Sequence, residues 1–148
     1  MTSTGYAIER DEIIPSELTE ARRLQTEIEE ALQANQFAEK EIFAIKLALE
    51  EALVNAIKHG NQMDATRKVH VRYHVSLVGF DILIADEGPG YDPADVPDPT
   101  DPENLERPCG RGLFMMRAYM TEVDVRGRGN ELFMRKLRNG TARSSSDD

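Results

Sequence analysis

Apolar residues recur at intervals of three and four along two early stretches of the chain, from about 17 to 35 and from about 38 to 59. This spacing is typical of amphipathic helices that bury one face. The second helix is expected to end at His59-Gly60-Asn61, with Gly60 as its C-terminal cap. The predicted core positions are Leu18, Ala21, Leu24, Ile28, Ala31 and Leu32 in the first helix and Ile42, Ile45, Leu49, Ala52, Leu53 and Ala56 in the second.

Elsewhere in the chain, apolar and polar residues alternate, which predicts half-buried strands. The clearest alternation is VHVRYHV at 69–75, and VGFDILIA at 78–85 continues it as an antiparallel neighbour across a short turn. A first strand is expected at 6–14. The later part of the chain adds a helix with Leu113, Met116 and Met120 on its core face, and then two strands, at 121–127 and 130–137, joined by a Gly-Arg-Gly-Asn turn.

This order of elements, with strands grouped in hairpins and helices between them, predicts an α+β fold. We expect a two-layer α/β sandwich in which helices cover one face of a mostly antiparallel mixed sheet. A doubly wound parallel sheet would need regular alternation of strands and helices, which the sequence does not show. One domain is expected at 6–137, with a disordered polar tail at 138–148. Five of the seven prolines fall in 91–109, so that segment is predicted to be a loop.

The charge and cysteine content argue against several classes of partner and site. A net charge of −9 disfavours binding to nucleic acid, which needs clustered Lys and Arg, and to anionic membrane surfaces. No apolar run approaches the roughly 20 residues of a membrane span, and the N-terminus lacks a signal-peptide pattern, so we expect a cytoplasmic protein. Cys109 is the single cysteine of the sequence, so it can form neither an intramolecular disulfide nor a multi-cysteine zinc site.

One face of the second predicted helix carries polar side chains that could serve a site. Glu51, Asn55 and Lys58 follow one another at spacings of four and three, so an α-helix would place them in one narrow row. An Asn carbonyl oxygen is a suitable ligand for Mg²⁺, and a carboxylate one turn away could deprotonate an attacking hydroxyl. The same row is also typical of an ordinary solvated helix face, so the helix alone leaves both interpretations open.

Two glycine-containing segments could complete such a site. DEGPG at 86–90 follows a predicted strand, and the carboxylate of Asp86 could accept a hydrogen bond from an exocyclic amine such as that of adenine. Its glycines would let the backbone approach a flat ligand. GRGL at 110–113 opens a predicted helix, where free N–H groups and the helix dipole favour phosphate. Taken separately, the first segment is also typical of a turn and the second of a hinge.

The order of these segments resembles a known family. A helical ExxxN, a strand ending in DxGxG, a proline-rich loop and a GxG that opens a helix are arranged as in the GHKL superfamily of histidine-kinase-like ATPases. The segments EALVNAIKHGN, DEGPGY and GRGLFMMRAYMTEVDV resemble sequences of the anti-sigma-factor serine/threonine kinase branch of that superfamily. The resemblance covers about residues 6–137, and it implies the histidine-kinase-like ATPase fold with ATP and Mg²⁺ as cofactors.

The resemblance implies a role for each motif residue. Asn55 is expected to help hold Mg²⁺ against the ATP phosphates, and Glu51 is expected to act as general base toward the substrate hydroxyl. Asp86 is expected to recognise the adenine amino group, and 91–109 to form a lid over ATP. The residues expected to contact the nucleotide are Asn55, Asp86, Gly88, Gly90, Arg107, Gly110, Arg111, Gly112 and Leu113, with Arg107 or Arg111 reaching the γ-phosphate.

By the same resemblance, the chain is expected to be a serine/threonine protein kinase that uses Mg-ATP, and an anti-sigma factor. Its partners would be an alternative sigma factor and an anti-anti-sigma protein with a STAS domain, whose serine or threonine accepts the phosphate. Family members commonly form homodimers, although this sequence shows no recognisable interface. The alternative is an ATP- or ADP-binding module that sequesters a partner without phosphotransfer. Glu51 favours the kinase, because a pure binder needs no base.

Overall fold

The computed structural model describes residues 7–88, 108–127 and 129–138. Within these ranges the chain forms five strands, three α-helices and one π-helical turn, here called the π-turn. Their order is β1 (Ile8–Pro15), α1 (Leu18–Ala34), α2 (Glu39–Val54), the π-turn (Asn55–Gly60), β2 (Lys68–Val75), β3 (Gly79–Asp86), α3 (Pro108–Tyr119), β4 (Glu122–Arg126) and β5 (Glu131–Leu137). The elements predicted from the sequence are found in the predicted order.

The strands form one sheet in the order β1-β2-β3-β5-β4, and each pairing between these described strands is antiparallel. β2 and β3 form the predicted hairpin, in whose turn the N–H of Ser76 donates to the carbonyl oxygen of Gly79 at 2.9 Å. β3 lies at the centre of the sheet because β5 pairs with its other side. Asp86, at the end of β3, therefore lies between the start of β2 and the start of β5.

The helices pack on one face of the sheet, which confirms the predicted two-layer α+β fold. In β2 the buried residues alternate with more exposed ones, as the sequence pattern predicts. Each fully buried Leu or Ile contributes about 1.5–3 kcal/mol, so α2 is held firmly along its apolar face and its polar face is fixed with it. The predicted helical core positions that are buried are Ala21, Leu24, Ile28, Ala31, Leu32, Ile42, Ile45, Leu49, Ala52, Leu53, Ala56, Leu113, Met116 and Met120, while Leu18 is partly buried.

The end of the second predicted helix differs from the prediction. Asn55–Gly60 is not α-helical but forms the π-turn, which closes with the N–H of Asn61 donating at 2.8 Å to a carbonyl five residues back. Gly60 is not the left-handed cap either, because the positive φ angles after the π-turn belong to Gln62, at 57°, and Met63, at 58°. The predicted α-helical end was wrong because the spacing of apolar residues indicates only where α2 is helical. The π-turn depends instead on the residues against which Gly60 packs.

Most other boundaries lie within one or two residues of the prediction, and two of the differences concern α3 and Arg138. α3 begins at Pro108, two residues before the predicted start at Gly110. Arg138 was assigned to the disordered tail, but its guanidinium donates to the carbonyl oxygens of Asn35 at 3.0 Å and Gln36 at 2.7 Å. These partners lie about a hundred residues earlier, so local composition could not reveal them.

The rest of the predicted tail, 139–148, lies outside the described residues, as does the predicted lid up to residue 107. In the part of the chain that the structure describes, no helix is long and apolar enough to cross a membrane.

Candidate functional site

A cavity of about 400 Å³ opens between the end of α2, the π-turn, β3, α3 and the β4–β5 hairpin. Its walls combine aliphatic side chains with a few polar groups, as in pockets for small organic ligands. The aliphatic wall consists of Ala52, Ala56, Ile84, Leu113, Met116, Val125 and Leu132. The polar residues and glycines are Asn55, His59, Gly60, Gln62, Asp86, Gly129, Asn130 and Glu131. The cavity thus joins segments from both halves of the sequence.

Asp86 is the last residue of β3, and it lines the cavity. Strand alternation directs it to the same face as Ile84, which also lines the cavity, so an apolar residue and a carboxylate follow each other along this wall. Its Oδ1 accepts the N–H of Gly88 at 2.9 Å. Burial raises the pKa of Asp86 above its usual value, an effect that the Gly88 N–H and the positive charge of Arg67 only partly offset. Such a partly desolvated carboxylate favours a ligand that donates a hydrogen bond.

Gly60, at the end of the π-turn, packs directly against Asp86 and Gly88. A Cβ at position 60 would lie 2.2 Å from Oδ2 of Asp86, and a Cβ at position 88 would lie 1.8 Å from the carbonyl oxygen of Gly60. Both distances are too short for any side chain, so these segments approach each other only because both residues are glycine. This contact seats the Asp86 carboxylate against the π-turn.

Glu51 and Asn55 meet the first part of α3 at Gly112. A Cβ at position 112 would lie 2.6 Å from Oε2 of Glu51 and 2.8 Å from Nδ2 of Asn55. The missing side chain therefore lets the α3 backbone approach both polar groups. Pro108 begins α3, a position that suits proline, and the N–H groups in the first turn of a helix have no partner within the helix. The start of α3 is thus suited to binding an anion beside Asn55 and Glu51.

The structure describes the other predicted contact residues to different extents. Leu113 is buried and lines the cavity. Gly110 and Arg111 belong to the first turn of α3, where only the backbone is described. Gly90 and Arg107 lie outside the described residues, so their roles stay predictions.

The predicted row of Glu51, Asn55 and Lys58 is not preserved. Lys58 is exposed and does not line the cavity formed by the described residues. The π-turn has more residues per turn than an α-helix, so it rotates the positions after Asn55 away from the predicted row. Glu51 and Asn55 remain together because Glu51 belongs to α2 and Asn55 follows directly at its end.

The β4–β5 hairpin is one part of the cavity that the sequence predictions missed, and His59 and Gln62 at the π-turn are two further lining residues that they did not name as site residues. Gly129, Asn130, Glu131 and Leu132 form one wall, whereas the pattern identified only a turn and the strand that follows it. Gly60 was missed in the same way, because it was assigned to a helix cap. The hairpin reaches the site because β5 pairs with β3, and a pairing between strands so far apart in sequence leaves no local signal.

The residues present fit an adenine nucleotide with a divalent cation. The aliphatic walls suit a flat base, Asp86 supplies a hydrogen-bond acceptor, and the start of α3 suits phosphates. Among the described residues, no group of three or more His, Cys, Asp or Glu side chains could hold a metal ion by itself. Mg²⁺ commonly takes few protein ligands and completes its shell with phosphates and water. Asn55 therefore fits a metal-binding role only together with a bound nucleotide.

Comparisons with known proteins identify the family to which this fold belongs. A family model described as the Histidine kinase-like ATPase domain matches residues 14–136. The serine-protein kinase RsbW of Bacillus subtilis (strain 168) is 31% identical over 107 residues, which cover 68% of this chain and 67% of that protein. RsbW of Bacillus licheniformis is 33% identical over 87 residues, 55% of this chain and 54% of the kinase. The anti-sigma F factor of Clostridium perfringens (strain SM101 / Type A) is 30% identical over 106 residues, 68% of this chain and 75% of that factor.

A solved structure shows the same fold. The crystal structure of the RsbU and RsbW domains of Rv1364c from Mycobacterium tuberculosis is similar with a TM-score of 0.61 and 16% identity, over 88% of this chain and 32% of that chain. The chain spans only about half the length of the Bacillus licheniformis kinase that it matches, so the activity of the whole relative does not follow from identity. Because the family model spans most of the sequence and the fold agrees with it, the chain belongs to the histidine kinase-like ATPase domain family.

Proposed function

We propose that the chain is a protein serine/threonine kinase that uses Mg-ATP, phosphorylates an anti-anti-sigma partner with a STAS domain, and sequesters an alternative sigma factor. The observation that carries the proposal is the meeting of Glu51 and Asn55 at Gly112, beside a cavity that also reaches Asp86. In this proposal, Asp86 and Asn55 act from the wall of the cavity, while Glu51 and the start of α3 act beside it. Relatives named serine-protein kinase RsbW and anti-sigma F factor support this class of activity.

The side chains of the site divide the work between binding and proton transfer. Asp86 would accept a hydrogen bond from the exocyclic amine of the base, and the carbonyl oxygen of the Asn55 amide would serve as a ligand of Mg²⁺. The N–H groups at the start of α3 stabilise negative charge on the phosphates. When bound, ATP supplies its γ-phosphoryl group, whose bond to ADP breaks as the partner's hydroxyl oxygen bonds to phosphorus. Glu51 accepts the proton that this hydroxyl loses.

The proposal has further consequences for where and how the chain acts. A sigma-factor partner requires a cytoplasmic location, because sigma factors act on RNA polymerase. A homodimer would accord with the family resemblance seen in the sequence. The net charge of −9 is consistent with protein partners and disfavours a direct role for nucleic acid.

Label transfer from radiolabelled ATP to the STAS-domain proteins encoded in the same genome tests the proposal. With Mg²⁺ present, label should appear on a serine or threonine of one of them. Glu51→Gln should lower the rate of transfer by about 10²–10⁴-fold, the usual effect of losing a general base, while ATP binding is retained. Glu50→Gln is the matched control, because Glu50 is the exposed neighbour on α2 and should leave transfer unchanged.

Two results would decide against parts of the proposal. Transfer at the wild-type rate by Glu51→Gln would show that Glu51 is not the base. Tight ATP binding without transfer to any of the STAS-domain proteins would instead support the alternative, a module that sequesters its partner without phosphotransfer. ATP binding itself is followed by the rise in melting temperature that a ligand of the native state produces.

A further inference from the structure

The peptide unit that follows Asp86 is held from both sides. Its carbonyl group belongs to Asp86 and its N–H group to Glu87, and in a trans peptide these groups point in opposite directions. The N–H donates to Oδ1 of Asn61 at 2.7 Å, and the carbonyl oxygen accepts a hydrogen bond from Nδ2 of Asn130 at 3.1 Å. One asparagine on each side thus fixes the orientation of this peptide plane. Asn61 and Asn130 are called the asparagine clamp below.

Asn61 is itself immobilised by a buried network. The residue is 0% exposed, and its Nδ2 donates to Oγ of Ser16 at 2.7 Å and to the carbonyl oxygen of Lys68 at 2.9 Å. Ser16 is also buried and donates to the carbonyl oxygen of Arg67 at 2.7 Å. Both amide hydrogens and the amide oxygen of Asn61 therefore have partners. Rotation of the side chain would leave buried polar groups unpaired, so the network holds one geometry.

Asn130 reaches the same peptide from the β4–β5 hairpin. Besides the bond from its side chain, its carbonyl oxygen accepts the N–H of Asp86 at 2.9 Å. The hairpin turn includes Gly127 at φ 64° and Gly129 at φ 86°, a backbone that favours glycine. A Cβ at position 127 would lie 2.9 Å from Oδ1 of Asn130, so the turn packs closely against this side chain. The clamp therefore joins the π-turn, the end of β3 and the hairpin around the cavity.

We propose that the asparagine clamp aims the Asp86 carboxylate at the base of the bound nucleotide, which makes Asn61 and Asn130 positioning residues for base selection. The inference rests on the proposed function, in which Asp86 accepts the exocyclic amine of adenine. With the peptide plane fixed and Oδ1 bonded to the N–H of Gly88, the carboxylate has one orientation. Loss of either asparagine frees the plane, and selection between bases then falls while binding of the phosphates is kept.

Isothermal titration calorimetry with ATP and with ITP, each in the presence of Mg²⁺, tests the clamp. ITP carries a carbonyl oxygen where ATP has the amine. Two hydrogen-bond acceptors, this oxygen and the Asp86 carboxylate, would therefore face each other without a hydrogen bond. The wild-type chain should bind ATP about 10–100-fold more tightly than ITP. In Asn61→Ala and in Asn130→Ala the ratio of ATP to ITP affinity should be about tenfold smaller than in wild type, with a ratio of one as the lower limit. Asn61→Asp keeps the acceptor for the Glu87 N–H and should retain more of the ratio than Asn61→Ala.

Asn35→Ala is the matched control for a purely structural effect. Asn35 is also 0% exposed, and its amide donates to the carbonyl oxygen of Ala31 at 3.1 Å at the end of α1. This variant should lower the melting temperature and leave the ratio of ATP to ITP affinities unchanged. Asn130 is only partly buried, so Asn130→Ala decides the matter should Asn61→Ala not fold.

The outcomes separate the clamp from the proposed function. A wild-type chain that binds ATP and ITP equally would overturn the role of Asp86 in base recognition. A wild-type chain that distinguishes them, with clamp variants that keep the full ratio, would overturn the clamp alone. A ratio that falls in the clamp variants and in Asn35→Ala alike would also overturn it, because the loss would then follow stability.

Discussion

The contact between Gly60 and Gly88 predicts that one substitution, glycine to alanine, has different consequences at the two positions. A Cβ at position 88 meets backbone, 1.8 Å from the carbonyl oxygen and 2.6 Å from the carbonyl carbon of Gly60. A Cβ at position 60 meets the carboxylate of Asp86, 2.2 Å from Oδ2 and 2.3 Å from Cγ. Backbone can move only with its whole segment, whereas a carboxylate can rotate away. Gly88→Ala should therefore mainly affect folding, and Gly60→Ala should mainly affect binding.

The magnitudes follow from what must move. In Gly88→Ala the 1.8 Å contact must open to at least 3.0 Å, which separates the π-turn from the end of β3. This overlap is severe. Overpacking costs about 1–3 kcal/mol of the free energy of unfolding, and we expect Gly88→Ala to lie at the upper end of that range. In Gly60→Ala the carboxylate loses its bond from Gly88 N–H, about 1.5–3 kcal/mol for a charged acceptor. Removal of a glycine from a helical turn offsets about 1 kcal/mol of that loss.

Thermal melting and ATP titration measure the two effects separately. Each kcal/mol should shift the melting temperature by about 2–4 °C for a chain of this size, with Gly88→Ala melting lowest. Under the proposed function, Gly60→Ala should bind ATP about 10–100-fold more weakly, because the Asp86 carboxylate would no longer face the base. Gly79→Ala is the control for stability, since its Cβ would lie 2.6 Å from the carbonyl oxygen of Lys136 at the far end of β3. The reasoning is refuted if Gly60→Ala keeps the wild-type ATP affinity or melts as low as Gly88→Ala.

Two further predictions concern Asp86 and Arg138. Burial raises the pKa of Asp86 above 3.8, so its protonated form stabilises the fold below pH 3.8, and that contribution is lost as the pH rises through the folded-state pKa. The melting temperature of Asp86→Asn minus that of wild type should therefore be larger near pH 7 than near pH 3. A melting-temperature difference that does not change with pH would contradict this sign. Arg138→Met removes bonds to Asn35 and Gln36 and a stack 4.4 Å over the Phe37 ring, so urea unfolding should show a loss of about 1–3 kcal/mol, with ATP affinity unchanged.

The helices, strands and core could be predicted because their information is local. In β2, alternation along VHVRYHV corresponds to the buried Val69, Val71, Tyr73 and Val75. In α2, the apolar positions likewise correspond to the buried face, because side chains three or four residues apart point to the same side of an α-helix. Neither relation depends on which distant segment covers the face. For this reason the order of helices and strands could be predicted, and the two-layer arrangement could be predicted from that order.

The motifs of the site could be predicted, but not how they meet. Glu51, Asn55 and Asp86 were named because their residue types suit the expected chemistry. Gly60 and Asn130 were assigned to a cap and a turn, which are the commonest local uses of these residues. Their contacts with Asp86 depend on the π-turn and on the pairing of β5 with β3. A local pattern cannot report such contacts, because each joins residues from different elements.

Backbone strain in this chain is stored where the asparagine clamp begins. Two of the three described non-glycine residues with positive φ are Gln62 and Met63, directly after Asn61. The left-handed conformation costs such residues about 1–2 kcal/mol each. Hydrogen bonds offset this cost here: the N–H of Met63 donates to the carbonyl oxygen of Ile57 at 2.8 Å, and the Asn61 amide is fully bonded. Glycine at these positions would relieve the strain but loosen the turn, so the strained residues keep Asn61 in place, and through it Asp86.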